Sequence, residues 1–232
     1  MGGQAAAQRI RWGILCLPLA GLAGLQALVV SGDYVYPMAD LQGYAEYVTS
    51  TRYHYAVLLY ALQATLALIG VVALYAYFVN RRGERWALAG LVSQVAGLML
   101  LAGTGGATTS ADVSAIPAAE RYLEGQDAMK SVLLGDLGNI PPLITVCSAL
   151  GFLIYLLSGL LWGIAVWRSG TLPQGAAILL VGATVLTFVT INPSVALFGW
   201  IQALVVALDL GGSGWIAWSV WQQPLDRKPG LT

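Results

Sequence analysis

The chain reads as all-α, a polytopic membrane bundle of six transmembrane helices with short surface helices in two outer loops. Three observations predict this class. Apolar residues make up 58% of the sequence and charged residues only 9%, where a soluble domain carries about 25% charge, so the solvent is lipid. Continuous apolar segments occupy roughly 12–31, 55–79, 86–104, 143–167, 173–190 and 196–221, each near or above the ~20 residues that cross ~30 Å of hydrocarbon as a helix. Continuous rather than alternating apolar runs argue against lipid-facing strands, which an open sheet would leave unpaired in any case. The third observation is the spread of the 11 Lys and Arg between alternate connections. Arg9, Arg11, Arg81, Arg82, Arg85, Arg168, Arg227 and Lys228 fall on one side, and Arg52, Arg121 and Lys130 on the other. Basic loops stay in the cytoplasm, so both termini are expected there, in a plasma (inner) membrane, with the whole of 1–232 forming one transmembrane domain.

The first segment follows Arg9 and Arg11 and runs from Trp12 to Val30. That is longer than the apolar core of ~7–15 residues in a secretory signal, so it reads as a retained span carrying Pro18 in its early turns. The outer loop 32–54 contains Tyr34, Tyr36, Tyr44, Tyr47 and Tyr53, residues that favour the membrane–water boundary. A short helix from about Ala39 to Ser50 is expected to lie along that surface. Spans two and three are joined by Asn80 to Arg85, and spans four and five by Arg168 to Leu172, connections short enough to make antiparallel hairpins. Overlaying Arg81 on Arg168 and Gly83 on Gly170, an offset of 170 − 83 = 87 residues, brings out a weak parallel repeat of a kind that transporters use. Between these hairpins the outer loop 105–142 holds a second surface helix after Pro117, ending at Gly135 to Gly138. The two outer loops read either as a cap over a cavity or as plain surface cover.

Asp209 in the last span is the one residue that hydrophobicity does not explain. An ionised Asp at mid-membrane costs about 2.5–3.5 kcal/mol on insertion scales, so it marks a functional site with a partner in the bundle interior. Gln94, with Ser93 beside it, and Thr184 fall at a similar depth. These four residues, Asp209, Gln94, Ser93 and Thr184, form the candidate intramembrane polar site, with Asp209 either bonded to Gln94 or handling an ion. Gly211, Gly212 and Gly214 follow the acid, and they permit either a helix break or the close approach of a neighbouring helix. Gln63 and Gln202 are lesser contributors to a polar interior. Thr184, Thr187 and Thr190 recur along one span that ends at Asn192 and Pro193. The pairs Gly21 and Gly24, Gly90 and Gly97, and Gly159 and Gly163 mark close helix contacts, and most tryptophans fall at predicted membrane boundaries.

Much chemistry is absent. His54 is the single histidine, which removes a bis-histidine haem site or a histidine-ligated zinc site within one chain. Cys16 and Cys147 lie at opposite membrane depths, beyond the reach of a disulfide. No GxSxG, HExxH or CxxC pattern occurs, and GTGGATTS at 103–110 lacks the lysine of a phosphate loop. The sequence therefore offers no catalytic, cofactor-binding or metal-binding residues and no nucleic-acid surface.

The segment GVVALYAYFVNRRGERWALAGLVSQVAGLML, followed by a long loop and LLSGLLWGIAVWRSGTLPQGAAILLVGATVL, resembles a broad group of uncharacterised six-span bacterial membrane proteins. The likeness covers about 55–190 and centres on an Arg-x-Gly-x-Leu-Pro turn, here Arg168, Gly170, Leu172 and Pro173. A basic residue usually follows that Pro, where this chain has Gln174. The resemblance implies a bacterial inner-membrane bundle and carries no catalytic residues.

Three functions fit these features. The first expectation is a non-catalytic helix bundle serving as an accessory or structural subunit, a homo-oligomer or part of a membrane complex, with the lipid bilayer as its partner. The second is a small ion- or proton-coupled transporter centred on Asp209, and the third a lipid-binding or lipid-modifying protein. A solvated cavity at Asp209 favours transport, a sealed polar layer favours the structural role, and an acyl-sized groove under the Tyr-rich loop favours lipid.

Overall fold

The computed structural model describes residues 2–31, 40–103, 115–133, 142–189 and 198–223. Tyr34, Tyr36, the run 104–110, Gly135 to Gly138, Thr190, Asn192, Pro193, Arg227 and Lys228 lie outside them. Every regular element among the described residues is helical. The long ones are α1 (Gly2–Ser31), α3 (Thr51–Phe78), α4 (Glu84–Gly103), α7 (Pro142–Ser169), α8 (Gln174–Val189) and α9 (Phe198–Gln222). The short ones are α2 (Leu41–Thr49), α5 (Ala115–Leu123) and α6 (Lys130–Leu133). Four segments, Gln4–Ser31, Thr51–Phe78, Val146–Ser169 and Trp200–Gln222, are long and apolar enough to cross a membrane. α4 is diluted by Glu84 and Arg85 in its first turn, and α8 has a shorter apolar stretch, Gln174–Phe188.

The long helices close into a ring in chain order. α1 packs on α3, α3 on α4, α4 on α7, α7 on α8, α8 on α9, and α9 returns to α1. Antiparallel neighbours joined by short turns produce this up-and-down arrangement. Both short turns place a glycine at positive φ, Gly83 at 95° and Gly170 at 63°, a conformation that side chains with a Cβ resist. The first turn packs on the end of α7, because a Cβ on Gly83 would lie 2.7 Å from the carbonyl oxygen of Ala165. The Arg168 guanidinium reaches across to stack 5.3 Å from the Trp86 ring.

These turns share one end of the ring with the start of α1 and the end of α9. There Arg11 donates to the Gln223 carbonyl, and the Trp12 and Trp221 rings meet edge to face at 5.3 Å. Arg81 lies 4.0 Å above the Tyr77 ring. The Tyr77 hydroxyl bonds both Thr171 Oγ1 and Gln223 Oε1 at 2.9 Å, and Gln223 Nε2 donates to the Thr171 carbonyl at 3.0 Å. This basic end is filled by a core in which Ile14, Phe78, Val166 and Ile216 are fully buried.

The opposite end carries a helical cap. Asp40 caps α2 by accepting from Gly43 N at 2.9 Å, and Ser50 caps α3 through Tyr53 N at 3.3 Å. Accepting side chains of this kind satisfy the orphan donors of a helix start. α2 packs on α5, α6 and the start of α3 around Tyr44, Val48, Tyr53, Ala119 and Leu133. Tyr44 and Tyr53 are therefore core residues of the cap rather than boundary anchors, whereas Tyr55 is exposed. On α6, Lys130 pairs with Asp127 at 2.9 Å, and that hydrogen bond and charge raise its pKa.

Tight helix contacts come from the small residues. On α4, a Cβ at Gly97 would stand 2.7 Å from the backbone nitrogen of Tyr155 in α7. Gly90 lies against the Trp162 ring, Gly159 faces Thr184, and Gly163 faces Val181. Lipid provides no hydrophobic drive between helices, so this close approach is what holds them.

Candidate functional site

α9 runs without interruption through Gly211, Gly212 and Gly214. The helix break considered for these glycines does not form, because Gly212 fits against α8 with the Ala176 carbonyl 3.2 Å from where its Cβ would be. An unbroken α9 carries Asp209 to mid-bundle, about 17 Å from its first residue and about 20 Å from its last at ~1.5 Å per residue.

A cavity of about 140 Å³ lies at that level, and all six ring helices line it. At about 10–15 Å³ for each water centre, this is room for a small hydrated solute. Its polar members are Gln63 of α3, Gln94 of α4, Tyr155 of α7, Thr184 of α8, and Asp209 and Ser213 of α9. Apolar side chains such as Leu17, Val71, Leu180 and Ile216 make up the rest of the wall. No Lys or Arg lines it among the described residues.

The polar groups divide into those already engaged and those still open. Trp162 Nε1 donates to Gln94 Oε1 at 3.0 Å, a pair buried between α4 and α7. Gln94 Oε1 thus has Trp162 as its partner, and the Asp209–Gln94 hydrogen bond considered from the sequence is absent among the described residues. Thr184 Oγ1 donates to the Leu180 carbonyl of its own helix at 2.9 Å, and Ser213 Oγ to the Leu210 carbonyl at 3.3 Å. Such back-bonding is the usual fate of small hydroxyls in helices.

Asp209 is different. Its side chain is only half-buried and lines the cavity. Every fully buried side-chain oxygen or nitrogen among the described residues has a hydrogen-bond partner. The Asp209 carboxyl, which accepts no bond from them, thus meets the cavity itself. Gln63 leans over α1, where a Cβ on Gly24 would approach its amide carbon to 2.7 Å. Gly24 in effect makes room for that amide. The Tyr155 phenol stands within electrostatic reach of Asp209.

Of the four residues singled out from the sequence, Asp209, Gln94 and Thr184 meet at the cavity. Ser93 is half-buried and sits outside the wall, because successive residues point about 100° apart around a helix. Tyr155 and Trp162 were not singled out in the sequence. A tyrosine and a tryptophan far from the boundary positions these residues favour were the available signal. Outside the cavity, the described residues hold no cluster of three or more His, Cys, Asp or Glu, and Cys16 and Cys147 are free thiols.

Comparison with family models, with curated proteins and with solved structures finds no match to this chain.

Proposed function

We propose that this chain is a small membrane carrier that binds a proton or a small cation at Asp209, in the centre of a six-span bundle. The observation that carries the reading is the Asp209 carboxyl opening into a cavity walled by every helix of the ring. Intramembrane acids that face the bundle interior or a cavity mark ion and proton pathways. A purely structural subunit needs its acid sealed by a partner, and a lipid-binding protein needs a groove beneath the Tyr-rich loop, where Tyr44 and Tyr53 instead fill the cap. Both of those readings draw less support from the site.

The six-span count rests on ring position. α4 and α8 lie between longer helices that are apolar enough to cross, and a shorter helix is accommodated by local thinning of the bilayer. Orientation follows from the basic end, whose Arg11, Arg81, Arg82, Arg85 and Arg168 favour the cytoplasm of a bacterial inner membrane. Purified protein in liposomes, with proton or ammonium flux followed by an internal pH dye, tests the reading. Asp209→Asn is expected to abolish flux while leaving the yield of folded protein unchanged, and unaltered flux, or equal loss of both, would overturn it.

A further inference from the structure

We infer that the groove between α1 and α9 at the basic end binds one anionic phospholipid, with its phosphate on Arg11 and one acyl chain along the groove. The inference goes beyond the carrier reading and uses neither Asp209 nor its cavity. The α1–α9 seam is closed at two levels. At the helix ends Arg11 meets Gln223, and Trp12 meets Trp221. Deeper in the ring Gly21 fits against Leu210, whose Cγ lies 2.9 Å from where a Cβ would be. Between these levels the helices part. A groove of about 290 Å³ opens there, lined by Leu15, Pro18, Gly214, Ala217, Trp218 and Trp221, and a Cβ on Gly214 would meet nothing within 4 Å. Its walls are apolar apart from two indole nitrogens, and Trp218 is 62% exposed, so the groove faces the bilayer. Left empty it would forfeit dispersion contacts along its whole lining, and hydrocarbon is the solvent at hand.

The register of the two helices selects the occupant. Arg11, Leu15 and Pro18 follow one face of α1, and Gly214, Ala217, Trp218 and Trp221 one face of α9, each at the three- and four-residue spacing of helix neighbours. Arg11 thus heads the groove, its guanidinium 5.9 Å from the Trp221 ring centroid. The Gln223 carbonyl takes one of its N–H donors, and the others are left to meet a phosphate. From Arg11 to Pro18 the groove runs seven residues, about 10 Å at ~1.5 Å per residue, within the ~15 Å of hydrocarbon in one leaflet. One acyl chain below a headgroup at the level of Arg11 matches that run. A spanning helix of a second copy crosses ~30 Å and would meet the groove over only about a third of its length. Arg9, Arg81, Arg82, Arg85 and Arg168 stand at the same end against Glu84 alone among the described residues, which favours an anionic headgroup over a zwitterionic one.

The test is mass spectrometry of the intact full chain released from detergent micelles doped with dioleoyl phosphatidylglycerol or dioleoyl phosphatidylcholine, with melting curves as the folding control. One phosphatidylglycerol is expected to be retained saturably, and phosphatidylcholine about fivefold more weakly, the scale of one basic contact at a charged surface. Arg11→Gln is expected to erase that preference. Gly214→Leu, which fills the groove and leaves the charge in place, is expected to abolish retention of phosphatidylglycerol at unchanged Tm. Equal retention of the two lipids by the unaltered chain would overturn the anionic assignment, and retention unaffected by either substitution would reduce the lipid to unspecific annular contact. Loss of retention that tracks a lowered Tm in both variants would overturn the site as a consequence of unfolding. A dimer without lipid, abolished by Gly214→Leu, would overturn the inference by assigning the groove to a second copy.

Discussion

The indole N–H of Trp162 on α7 donates to the side-chain carbonyl of Gln94 on α4 at 3.0 Å, in the interior of the ring. This bond ties α4 to α7 at the wall of the cavity that Asp209 also lines. Interhelical hydrogen bonds in membrane proteins contribute about 0.6 kcal/mol on average and up to about 1.7. A double-mutant cycle on Gln94→Leu and Trp162→Phe is expected to give a coupling in that range. Independent effects of the two changes in a reversible unfolding assay would contradict the bond.

The α4–α7 seam depends on backbone approach at Gly97, where any side chain would collide with the Tyr155 backbone. Gly97→Leu is expected to abolish folded protein in detergent, because no flexible side-chain end is there to yield. Gly214 is the control, since a Cβ there meets nothing within 4 Å. Gly214→Ala is expected to be neutral or to stabilise α9 by about 0.5–1 kcal/mol through reduced backbone entropy. Size-exclusion profiles and melting curves of the two variants decide between these outcomes.

At the basic end, the Tyr77 hydroxyl joins Thr171 and Gln223, linking α3, the second hairpin and the end of α9. Tyr77→Phe removes both bonds while keeping the ring beneath Arg81. At about 0.5–1.5 kcal/mol for each hydrogen bond, a loss of about 1–3 kcal/mol is expected. In liposomes the same variant is expected to leak protons faster, and unchanged leak with lowered stability would restrict this knot to a structural role.

Topology is tested by single cysteines at Glu120 on the cap and Arg82 in the first hairpin, in a background lacking Cys16 and Cys147. An impermeant thiol reagent added to intact cells is expected to label position 120 and to spare position 82 until the cells are opened. The reverse pattern would invert the orientation that the basic residues assign, and labelling of both positions in intact cells would break the six-span count.

Much of the fold was legible because lipid makes length and polarity decisive. The expected segment 55–79 became Thr51–Phe78, and 196–221 became Phe198–Gln222, with boundary shifts set by Ser50 as a cap and by individual helix ends. The glycine pairs also carried their message, since Gly90, Gly97, Gly159 and Gly163 each stand at a helix contact. Side-chain pairing was the part that could not be read. Depth along a helix placed Gln94 beside Asp209, but rotation about the axis turned its carbonyl to Trp162. Tyr155 escaped notice because an apolar run with one tyrosine looks the same whether that ring faces lipid or cavity. The Tyr-rich loop was misread for a related reason. Composition showed that Tyr44 and Tyr53 favour an interface, whereas the packing of α2 on α5 buried them.

The most direct test of the central claim is the aqueous accessibility of position 209. Asp209→Cys, in the same cysteine-free background, is treated with a small charged thiol reagent, with Ala207→Cys on the lipid-facing side of α9 as the reference. Labelling at 209 without labelling at 207 is the expected result and identifies a solvated cavity in the ring. Protection of 209 in folded protein, together with labelling once it is unfolded, would contradict the account and make Asp209 a sealed packing residue.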